Sequence, residues 1–256
     1  ALLFHDRVLR GIEHPDPVCL ADLTGYDAQR AAVIDNTDRF VRGLPANNLL
    51  LYGDRGTGKS ATVKATAAHF APKGLRLVQV GKEDLKDLPQ LLELLRQRVR
   101  RFVLFIDDLS FYEQESSFTQ LKAILEGTVQ AAPRNVLVYA TSNRRHFVPE
   151  YFSDRGQHEI RGEDALQEKL ALADRFGRTI VFAAPNQEEY LEIVEALARQ
   201  AGLSLPAKEL RRRAMAWTRQ ENSASPRTAK QFITHLAGEL AGRPCDVCPA
   251  SAIMQA

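Results

Sequence analysis

Short apolar runs alternate with longer amphipathic segments between residues 27 and 182. A short apolar run bounded by polar residues is typical of a buried strand, and apolar residues three or four positions apart are typical of a helix. Because strands separated by helices form a parallel sheet, the pattern predicts an α/β fold with helices on both faces of the sheet. The predicted strands are Leu49–Tyr52, Leu75–Val80, Phe102–Ile106, Val136–Ala140 and Thr179–Phe182, and the predicted helices are Asp27–Arg42, Ala61–Ala67, Leu88–Val99 and Ser117–Gln130.

The pattern changes after Pro185, where only helical segments follow. Asn186 is a good N-cap for the next helix, which has acidic residues in its first turn. Ser225 followed by Pro226 predicts another helix start, because proline is favoured at the first helical position. With a further helix predicted over Ala207–Arg219, this part of the chain is a small all-helical unit.

The chain ends differ from these two regions. Residues 1–22 begin with an apolar stretch, predicted to be helical, that ends at His14-Pro15-Asp16-Pro17. The predicted organisation is an N-terminal extension (1–22), an α/β domain (23–184), a helical domain (185–242) and a C-terminal tail (243–256). In the first helix of the α/β domain, Ala31, Ile34 and Phe40 lie near one stripe and are predicted to face the core.

The composition is that of a globular protein, with 45% hydrophobic and 26% charged residues. No apolar run approaches the roughly 18 residues that a membrane span needs, so no membrane contact is expected. The net charge of +2 favours no partner, because non-specific nucleic-acid binders usually have a stronger basic excess. Cys245 and Cys248 form a C-x-x-C pair with no second Cys or His pair nearby, which favours two reduced thiols over a metal half-site or a redox pair. A chain without a disulfide framework is expected to be cytoplasmic.

A phosphate-binding pattern, G-x-x-x-x-G-K-S, covers Gly53–Ser60 between a predicted strand and a predicted helix. In that setting the glycines turn backbone N–H groups around an anion, and the helix N-terminus adds positive charge. Lys59 is predicted to reach the β- and γ-phosphates, and the Ser60 hydroxyl to bind Mg²⁺. The setting disfavours a chance glycine-rich turn and predicts binding of ATP or GTP. The predicted nucleotide-binding residues of this segment are Gly53, Asp54, Arg55, Gly56, Thr57, Gly58, Lys59, Ser60 and Ala61.

Two further predicted strands end in polar residues that suit the same chemistry. Asp107 and Asp108 follow the apolar run ending at Ile106. Asp107 is predicted to hold the Mg²⁺ shell, and Asp108 to orient or polarise an attacking water. Asn143 ends the next strand, where a neutral amide can position water without adding charge. For each, the alternative is an ordinary polar residue in the turn after a strand.

These motifs, in this order, resemble the AAA+ ATPase superfamily over about residues 20–240. The resemblance rests on six segments: Leu23–Gln29, like the segment that packs on adenine and containing Tyr26; the phosphate loop; Asp107-Asp108; Asn143 at the first sensor position; Leu172–Gly177, like the arginine-finger box; and Arg227, at the second sensor position. It implies a P-loop NTPase sheet followed by a helical lid, and Mg²⁺-dependent hydrolysis of ATP to ADP and phosphate.

The resemblance also implies roles for two arginines. Arg175 would reach the γ-phosphate of a neighbouring subunit, so a homo-oligomer is expected, a hexamer being one form. Arg155 is a weaker rival for that role, and local pairing of Arg175 with Asp174 is the alternative. Arg227 would contact the nucleotide of its own chain and couple lid angle to nucleotide state, the alternative being a surface position near a helix start.

The macromolecule on which such an ATPase acts stays open. Many superfamily members have Asp-Glu where this chain has Asp107-Asp108; the Asp-Asp form resembles the branch of replication initiators and of helicase-loader or transposition ATPases. The whole chain most resembles an uncharacterised bacterial family of single-module AAA+ proteins. One hypothesis is remodelling of a nucleic-acid complex, to which two basic clusters could contribute: Arg96, Arg98, Arg100 and Arg101, and Arg211, Arg212 and Arg213. The favoured alternative for both clusters is a solvated helix end, where cations complement the helix dipole. No helix-turn-helix is predicted after the lid, unlike in the initiators.

A second hypothesis is a chaperone-like ATPase that remodels a protein complex, and a third is a nucleotide-gated scaffold with little turnover. Threading of a client is not expected, because the segment Val80–Lys86 after the second predicted strand has no aromatic residue.

Overall fold

The computed structural model describes residues 1–109, 121–125, 133–143 and 174–241. The chain divides into two compact units, Ala1–Ala184 and Pro185–Ala256. The division falls where the sequence pattern changes from alternating strands and helices to helices alone.

A seven-stranded sheet forms the centre of the first unit, with the strand order β2-β1-β4-β5-β6-β3-β7. Its neighbouring strands are parallel except for the antiparallel pair β1 and β2. The prediction of a parallel α/β sheet is confirmed. The strands are β1 (Leu2–His5), β2 (Val8–Gly11), β3 (Leu49–Gly53), β4 (Leu75–Val80), β5 (Arg101–Ile106), β6 (Val136–Asn143) and β7 (Arg178–Phe182).

Helices cover both faces of this sheet, because the buried strands are apolar on both sides. On β3, Leu49 and Leu51 belong to the core cluster beneath α1 (Asp27–Val41) and α2 (Lys59–Phe70). Leu50, between them, belongs to the opposite cluster, beneath α3 (Leu88–Arg96). Successive strand residues therefore anchor two separate cores, and the strand ends are left to carry polar residues.

The prediction of a helical N-terminus is wrong. Residues 2–11 form the β1–β2 hairpin instead, and β1 extends the sheet by pairing with β4. The two-residue turn is made by Asp6 and Arg7, with φ of +48° and +62°. A two-residue turn of this kind requires positive φ at both positions. Asp6 tolerates this conformation as a short polar residue, and the side chain of Arg7 is bonded to Asp87. The start of the expected N-terminal extension is thus part of the sheet.

Two other differences have causes in tertiary contacts. The helix predicted to reach Val99 ends at Arg96, because the side-chain amide of Asn135 binds the carbonyl groups of the following loop. In α1, Ala31 is exposed and the polar residues Asn36 and Thr37 are buried with Phe40. Of the helix predicted over Ser117–Gln130, residues 121–125 are helical and the others lie outside the described residues.

Three helices make up the described part of the second unit: α4 (Gln187–Gln200), α5 (Ala207–Glu221) and α6 (Pro226–Ala241). Asn186 caps α4 by accepting the N–H of Glu189, whose carboxylate accepts the N–H of Asn186 in return. Ser225 caps α6 by accepting the N–H of Thr228. Among the described residues, no helix combines the length and apolar character needed to cross a membrane.

Candidate nucleotide site

The phosphate-binding pattern lies at the edge of the sheet where the parallel strands end. β3 runs into it from between β6 and β7, and β5 lies on the far side of β6. Because all these strands are parallel, their carboxyl ends share one edge. The phosphate loop, Asn143 and Asp107-Asp108 are therefore brought side by side, although they are far apart in the sequence.

The loop conformation depends on its glycines. Gly53 has φ of +143°, and a Cβ there would lie 2.0 Å from the carbonyl oxygen of Phe182. Gly56 and Gly58 also have positive φ, +79° and +91°. A Cβ on Gly58 would meet no atom within 4 Å, so the backbone faces open space at the N-terminus of α2. An anion could approach the backbone N–H groups there.

Lys59 is 6% exposed and lies inside the loop. Its ammonium group donates to the carbonyl oxygens of Gly53 and Asp54, at 2.9 and 2.6 Å, and to Oδ1 of Asn143 at 3.2 Å. The Thr57 hydroxyl donates to the Asp54 carbonyl oxygen at 2.8 Å. The loop is thus wrapped around the cation that is predicted to face the phosphates.

Ser60 and Asp107 meet across the gap between the loop and β5. The Ser60 hydroxyl donates to Oδ1 of Asp107 at 2.6 Å, and the Thr141 hydroxyl donates to the same oxygen at 2.7 Å. The other carboxylate oxygen, Oδ2, has no hydrogen-bond partner among the described residues. A serine hydroxyl beside a carboxylate is a ligand pair that suits Mg²⁺, which prefers oxygen ligands and retains several waters.

Asp108 and Asn143 form a second pair beside the first. The Asn143 amide donates to Oδ1 of Asp108 while its own Oδ1 accepts from Lys59. Asp108 has φ of +53°, a left-handed conformation that a non-glycine residue rarely adopts. Asn143 therefore links the cation of the phosphate loop to the second carboxylate.

The site fits a nucleoside triphosphate with Mg²⁺. Open space at the helix N-terminus, an enclosed lysine, and a hydroxyl–carboxylate pair with one unbonded oxygen are the groups that such a ligand requires.

Tyr26 lies beside the site, at the end of β7. Its ring stacks on Phe182 with centroids 5.3 Å apart, and its hydroxyl donates to the carbonyl oxygen of Ala183 at 2.6 Å. The Phe182 carbonyl oxygen also accepts the N–H of Asp54. Tyr26 and the phosphate loop therefore both contact the end of β7. Contact between Tyr26 and an adenine ring stays a prediction.

The two arginines to which the resemblance assigns roles belong to other elements of the structure. Arg175 is half-buried and precedes the amino end of β7, so the strand separates it from the edge that carries the phosphate loop. Arg227 is exposed near the start of α6, in the second unit. Arg155, Cys245 and Cys248 lie outside the described residues.

One contributor to the site, Thr141, has no signal in the sequence, and the side-chain partner of the predicted loop residue Asp54 has none either. Thr141, on β6, contacts both carboxylate residues. The side chain of Asp54 accepts the N–H of Ala184 at 2.8 Å, which ties the last residue of the first unit to the phosphate loop. Hydroxyl and carboxylate residues near strand ends are common, so only their partners distinguish them.

Solved structures similar to this chain are AAA+ ATPases. The Thermotoga maritima RuvB Holliday junction branch migration motor has a TM-score of 0.56 and 18% identity, over 88% of this chain and 66% of that chain. The AAA domain of FIGL-1 in complex with ADP has a TM-score of 0.55 and 21% identity, over 88% of this chain and 74% of that one. The replication initiator DnaA, bound to AMPPCP and single-stranded DNA, has a TM-score of 0.59 and 16% identity, over 88% and 66%.

The chain therefore has the fold of the AAA+ ATPases. It belongs to the family described as "Protein of unknown function (DUF815)", whose model matches residues 2–240. It spans slightly less than two thirds of the length of the RuvB and DnaA chains. No curated protein sequence matches it.

Proposed function

We propose that this chain binds ATP with Mg²⁺, hydrolyses it, and uses the nucleotide state to rearrange a macromolecular complex. One observation carries the proposal: hydrogen bonds join Lys59, Asn143 and Asp108 in one set and Ser60 and Asp107 in another, beside an open helix N-terminus. Thr141 connects the two sets, because its hydroxyl is bonded to both Asp107 and Asp108. A glycine-rich turn that arose by chance would not be expected to lie next to the polar ends of two other strands, β5 and β6.

Each residue of the set has a separate task. Backbone N–H groups of the loop and the Lys59 ammonium bind the phosphates. Ser60 and Asp107 hold the metal shell, and Mg²⁺, when bound, neutralises charge on the phosphate oxygens. Asp108 accepts a proton from, or orients, the attacking water, and the Asn143 amide keeps Asp108 in position.

The position of Arg175 supports an oligomeric enzyme. β7 alone spans roughly 15 Å at about 3.3 Å per residue, which is longer than an arginine side chain. Because Arg175 lies before the amino end of that strand, it is far from the phosphate loop of its own chain. A role for Arg175 in hydrolysis therefore requires a second copy of the chain, whose site it would complete.

Calorimetric titration with ATP and ADP in the presence of Mg²⁺ tests the core of the proposal. The Lys59→Ala variant should bind ATP about 10-fold or more weakly, because each hydrogen bond to a charged group contributes roughly 1.5–3 kcal/mol. Arg227→Ala should narrow the preference for ATP over ADP, because the resemblance implies that Arg227 contacts the nucleotide and ADP lacks the γ-phosphate that such a contact would use. Equal ATP affinity in the parent and Lys59→Ala would show that the site is wrongly assigned.

A basic loop at the opposite edge of the sheet supports a nucleic-acid partner. Arg98, Arg100 and Arg134 are exposed, and none has a carboxylate partner in the described part of the chain. Asn135 holds the loop by donating to the carbonyl oxygens of Leu95, Arg98 and Arg100, at 2.9, 2.9 and 3.2 Å. Asn135 thus fixes the backbone, and the exposed guanidinium groups without carboxylate partners suit phosphate oxygens.

The other basic cluster does not support such a partner. Arg211 pairs with Glu195 and Glu188, Arg212 with Glu209, and Arg213 with Glu239. These carboxylates neutralise the charge of the second predicted basic cluster.

Two arginines of the first cluster are also occupied: Arg96 pairs with Glu93, and Arg101 lies over the Phe40 ring. Two of the similar structures are a Holliday junction motor and an initiator bound to single-stranded DNA, which agrees with a nucleic-acid partner.

Fluorescence anisotropy with labelled single- and double-stranded DNA, in the presence of ATP, tests this partner. The triple variant Arg98→Gln, Arg100→Gln and Arg134→Gln should bind more weakly and show a salt dependence of log K shallower by about 2–3 units. The matched control is Arg10→Gln, Arg199→Gln and Arg219→Gln, which removes the same charge from exposed positions elsewhere. Equal losses in both variants, or no DNA binding by the parent at low salt, would contradict the nucleic-acid proposal.

A protein partner is the second candidate, as a chaperone-like client or in a nucleotide-gated scaffold. Val99, between Arg98 and Arg100, is fully exposed, so the same loop also offers an apolar side chain to a protein surface. A parent protein that binds ATP but no DNA would favour this candidate.

A further inference from the structure

Thr141 contacts three consecutive residues of the turn that carries the two carboxylates. Its hydroxyl donates to Oδ1 of Asp107 at 2.7 Å and accepts the N–H of Asp108 at 2.9 Å. Its carbonyl oxygen accepts the N–H of Leu109 at 2.7 Å. The residue is 2% exposed, so water does not compete for these bonds.

The contacts with Asp107 fix the orientation of its carboxylate. Oδ1 receives two hydroxyl donors, from Ser60 and Thr141, which approach from the phosphate loop and from β6. With both donors present, rotation about the Cβ–Cγ bond would cost a hydrogen bond, so Oδ2 stays available to a metal shell. With Ser60 alone, the two carboxylate oxygens could exchange places.

The contact with Asp108 supports an unfavourable backbone conformation. A left-handed φ of +53° costs an aspartate free energy, although less than it costs a β-branched residue. The hydrogen bonds of Thr141 to the N–H groups of Asp108 and Leu109 offset that cost. This conformation directs the Asp108 carboxylate to the Asn143 amide.

We propose that Thr141 is a positioning residue that orients both carboxylates, Asp107 for the metal shell and Asp108 for the attacking water. The inference rests on the proposed ATPase function. A hydroxyl is needed because it donates to Asp107 and accepts from Asp108 at the same time. Serine can do both, whereas valine, which has nearly the same shape as threonine, can do neither.

Ser142 supplies a matched control. It is fully buried like Thr141, and its hydroxyl donates to the Leu109 carbonyl oxygen at 2.8 Å, in the same turn. It contacts neither carboxylate. Ser142→Ala therefore removes a buried hydrogen bond from the turn without removing one from Asp107 or Asp108.

The experiment compares Thr141→Val, Thr141→Ser and Ser142→Ala in the full chain. Nucleotide binding is titrated calorimetrically at a series of Mg²⁺ concentrations and in EDTA, and turnover is measured in parallel. Thr141→Val should raise the Mg²⁺ concentration needed for half-maximal binding by about 10-fold and lower turnover by at least as much. Its nucleotide affinity in EDTA should equal that of the parent, and Thr141→Ser and Ser142→Ala should keep the Mg²⁺ dependence of the parent.

A Thr141→Val protein with the Mg²⁺ dependence and turnover of the parent would overturn the inference. So would a Thr141→Ser protein as impaired as Thr141→Val, or an equal shift in Ser142→Ala. If Thr141→Val does not fold by circular dichroism, Thr141→Ala replaces it in the same comparison. The parent protein distinguishes failure of the proposed ATPase function from failure of this inference. A parent that binds no MgATP would contradict both, whereas a parent that binds and hydrolyses ATP leaves the Thr141 comparison decisive.

Discussion

Adjacent aspartates in this protein have different surroundings, and the difference supports the separate roles proposed for them. Asp107 accepts two hydroxyl groups, one of them from the serine of the phosphate loop. Asp108 accepts an amide that is itself bonded to Lys59. The first arrangement suits a carboxylate that holds a cation, and the second suits one that acts on a neutral water beside the phosphate.

Replacing each aspartate by asparagine separates these roles. Asp107→Asn should weaken Mg²⁺-dependent ATP binding by roughly 10–100-fold, because charge next to the metal is lost. Asp108→Asn should keep ATP affinity and lower turnover by roughly 10²–10⁴-fold, because the base is lost. Mg²⁺ titrations of binding and steady-state hydrolysis measure both effects. The reverse pattern would exchange the two roles, and no change in either variant would remove both.

At the scale of elements, the N-terminal hairpin shows how tertiary contacts set local structure. The buried carboxylate of Asp84 accepts His5 Nδ1 at 3.1 Å and the N–H of Asp6 at 3.2 Å, and the buried carboxylate of Asp87 accepts Arg7 Nε at 2.8 Å. The hairpin tip is thereby bound to the segment after β4. Asp84 belongs to the segment Val80–Lys86, for which the sequence predicted no client-threading role. The hairpin holds the side chain of Asp84 in place.

The hairpin contact predicts a pH dependence of stability. The hydrogen bond to Asp84, followed by the charge of Asp6, raises the pKa of His5 above 6.5. A raised pKa in the folded state stabilises the protein below the unfolded pKa, and the stabilisation is lost as pH rises through the folded value. Glu83 adds to the effect, and the nearby Arg7 is paired with Asp87.

Melting temperatures of the parent and His5→Gln, measured between pH 5 and 9, test this contact. The parent should gain stability relative to His5→Gln as the pH falls below the raised pKa, and the two should converge at high pH. Other titrating groups affect both proteins alike, so the difference isolates His5. A constant difference across the range would contradict a charged His5–Asp84 contact.

Helix α1 shows that apolar periodicity alone does not predict which helix residues face the core, because tertiary contacts also decide it. Its buried face carries Asn36 and Thr37, because the Tyr139 hydroxyl on β6 is bonded to both, at 3.0 and 2.8 Å. Burial raises the pKa of Tyr139, so its hydroxyl stays neutral and available for these bonds. A polar group on the sheet therefore explains why polar residues of α1 face the core. Apolar periodicity had predicted Ala31 on that face.

At the scale of the whole molecule, activity is expected to depend on assembly. If Arg175 completes the site of a neighbouring copy, specific activity should rise with protein concentration. Arg175→Ala should lower kcat by about 10³-fold with little change in ATP affinity, because a trans arginine stabilises charge that develops during transfer. Steady-state turnover across a dilution series, beside sedimentation analysis, measures both effects.

Mixing variants gives the control for this prediction. Lys59→Ala subunits keep Arg175, and Arg175→Ala subunits keep an intact phosphate loop, so a mixture should recover part of the activity. A monomer with full turnover at every concentration would refute the role of Arg175 across an interface.

The sequence by itself determined the features that depend on neighbouring residues. A glycine-rich loop between a strand and a helix, as at Gly53–Ser60, predicts a phosphate site because its backbone conformation depends on neighbouring residues. The α/β alternation determined a parallel sheet, and parallel strands place Asp107 and Asn143 at one edge. Caps such as Asn186 were also predictable, because their partners lie within the next turn.

Only the tertiary structure decided the features that depend on partners distant in sequence. Thr141 reaches Asp107 across 34 positions, and Arg213 is neutralised by Glu239 across 26. The first residues became strands because β4 offered an open edge and Asp84 and Asp87 could hold the hairpin turn. A side chain's role depends on which groups surround it, and the packing of distant segments determines those surroundings.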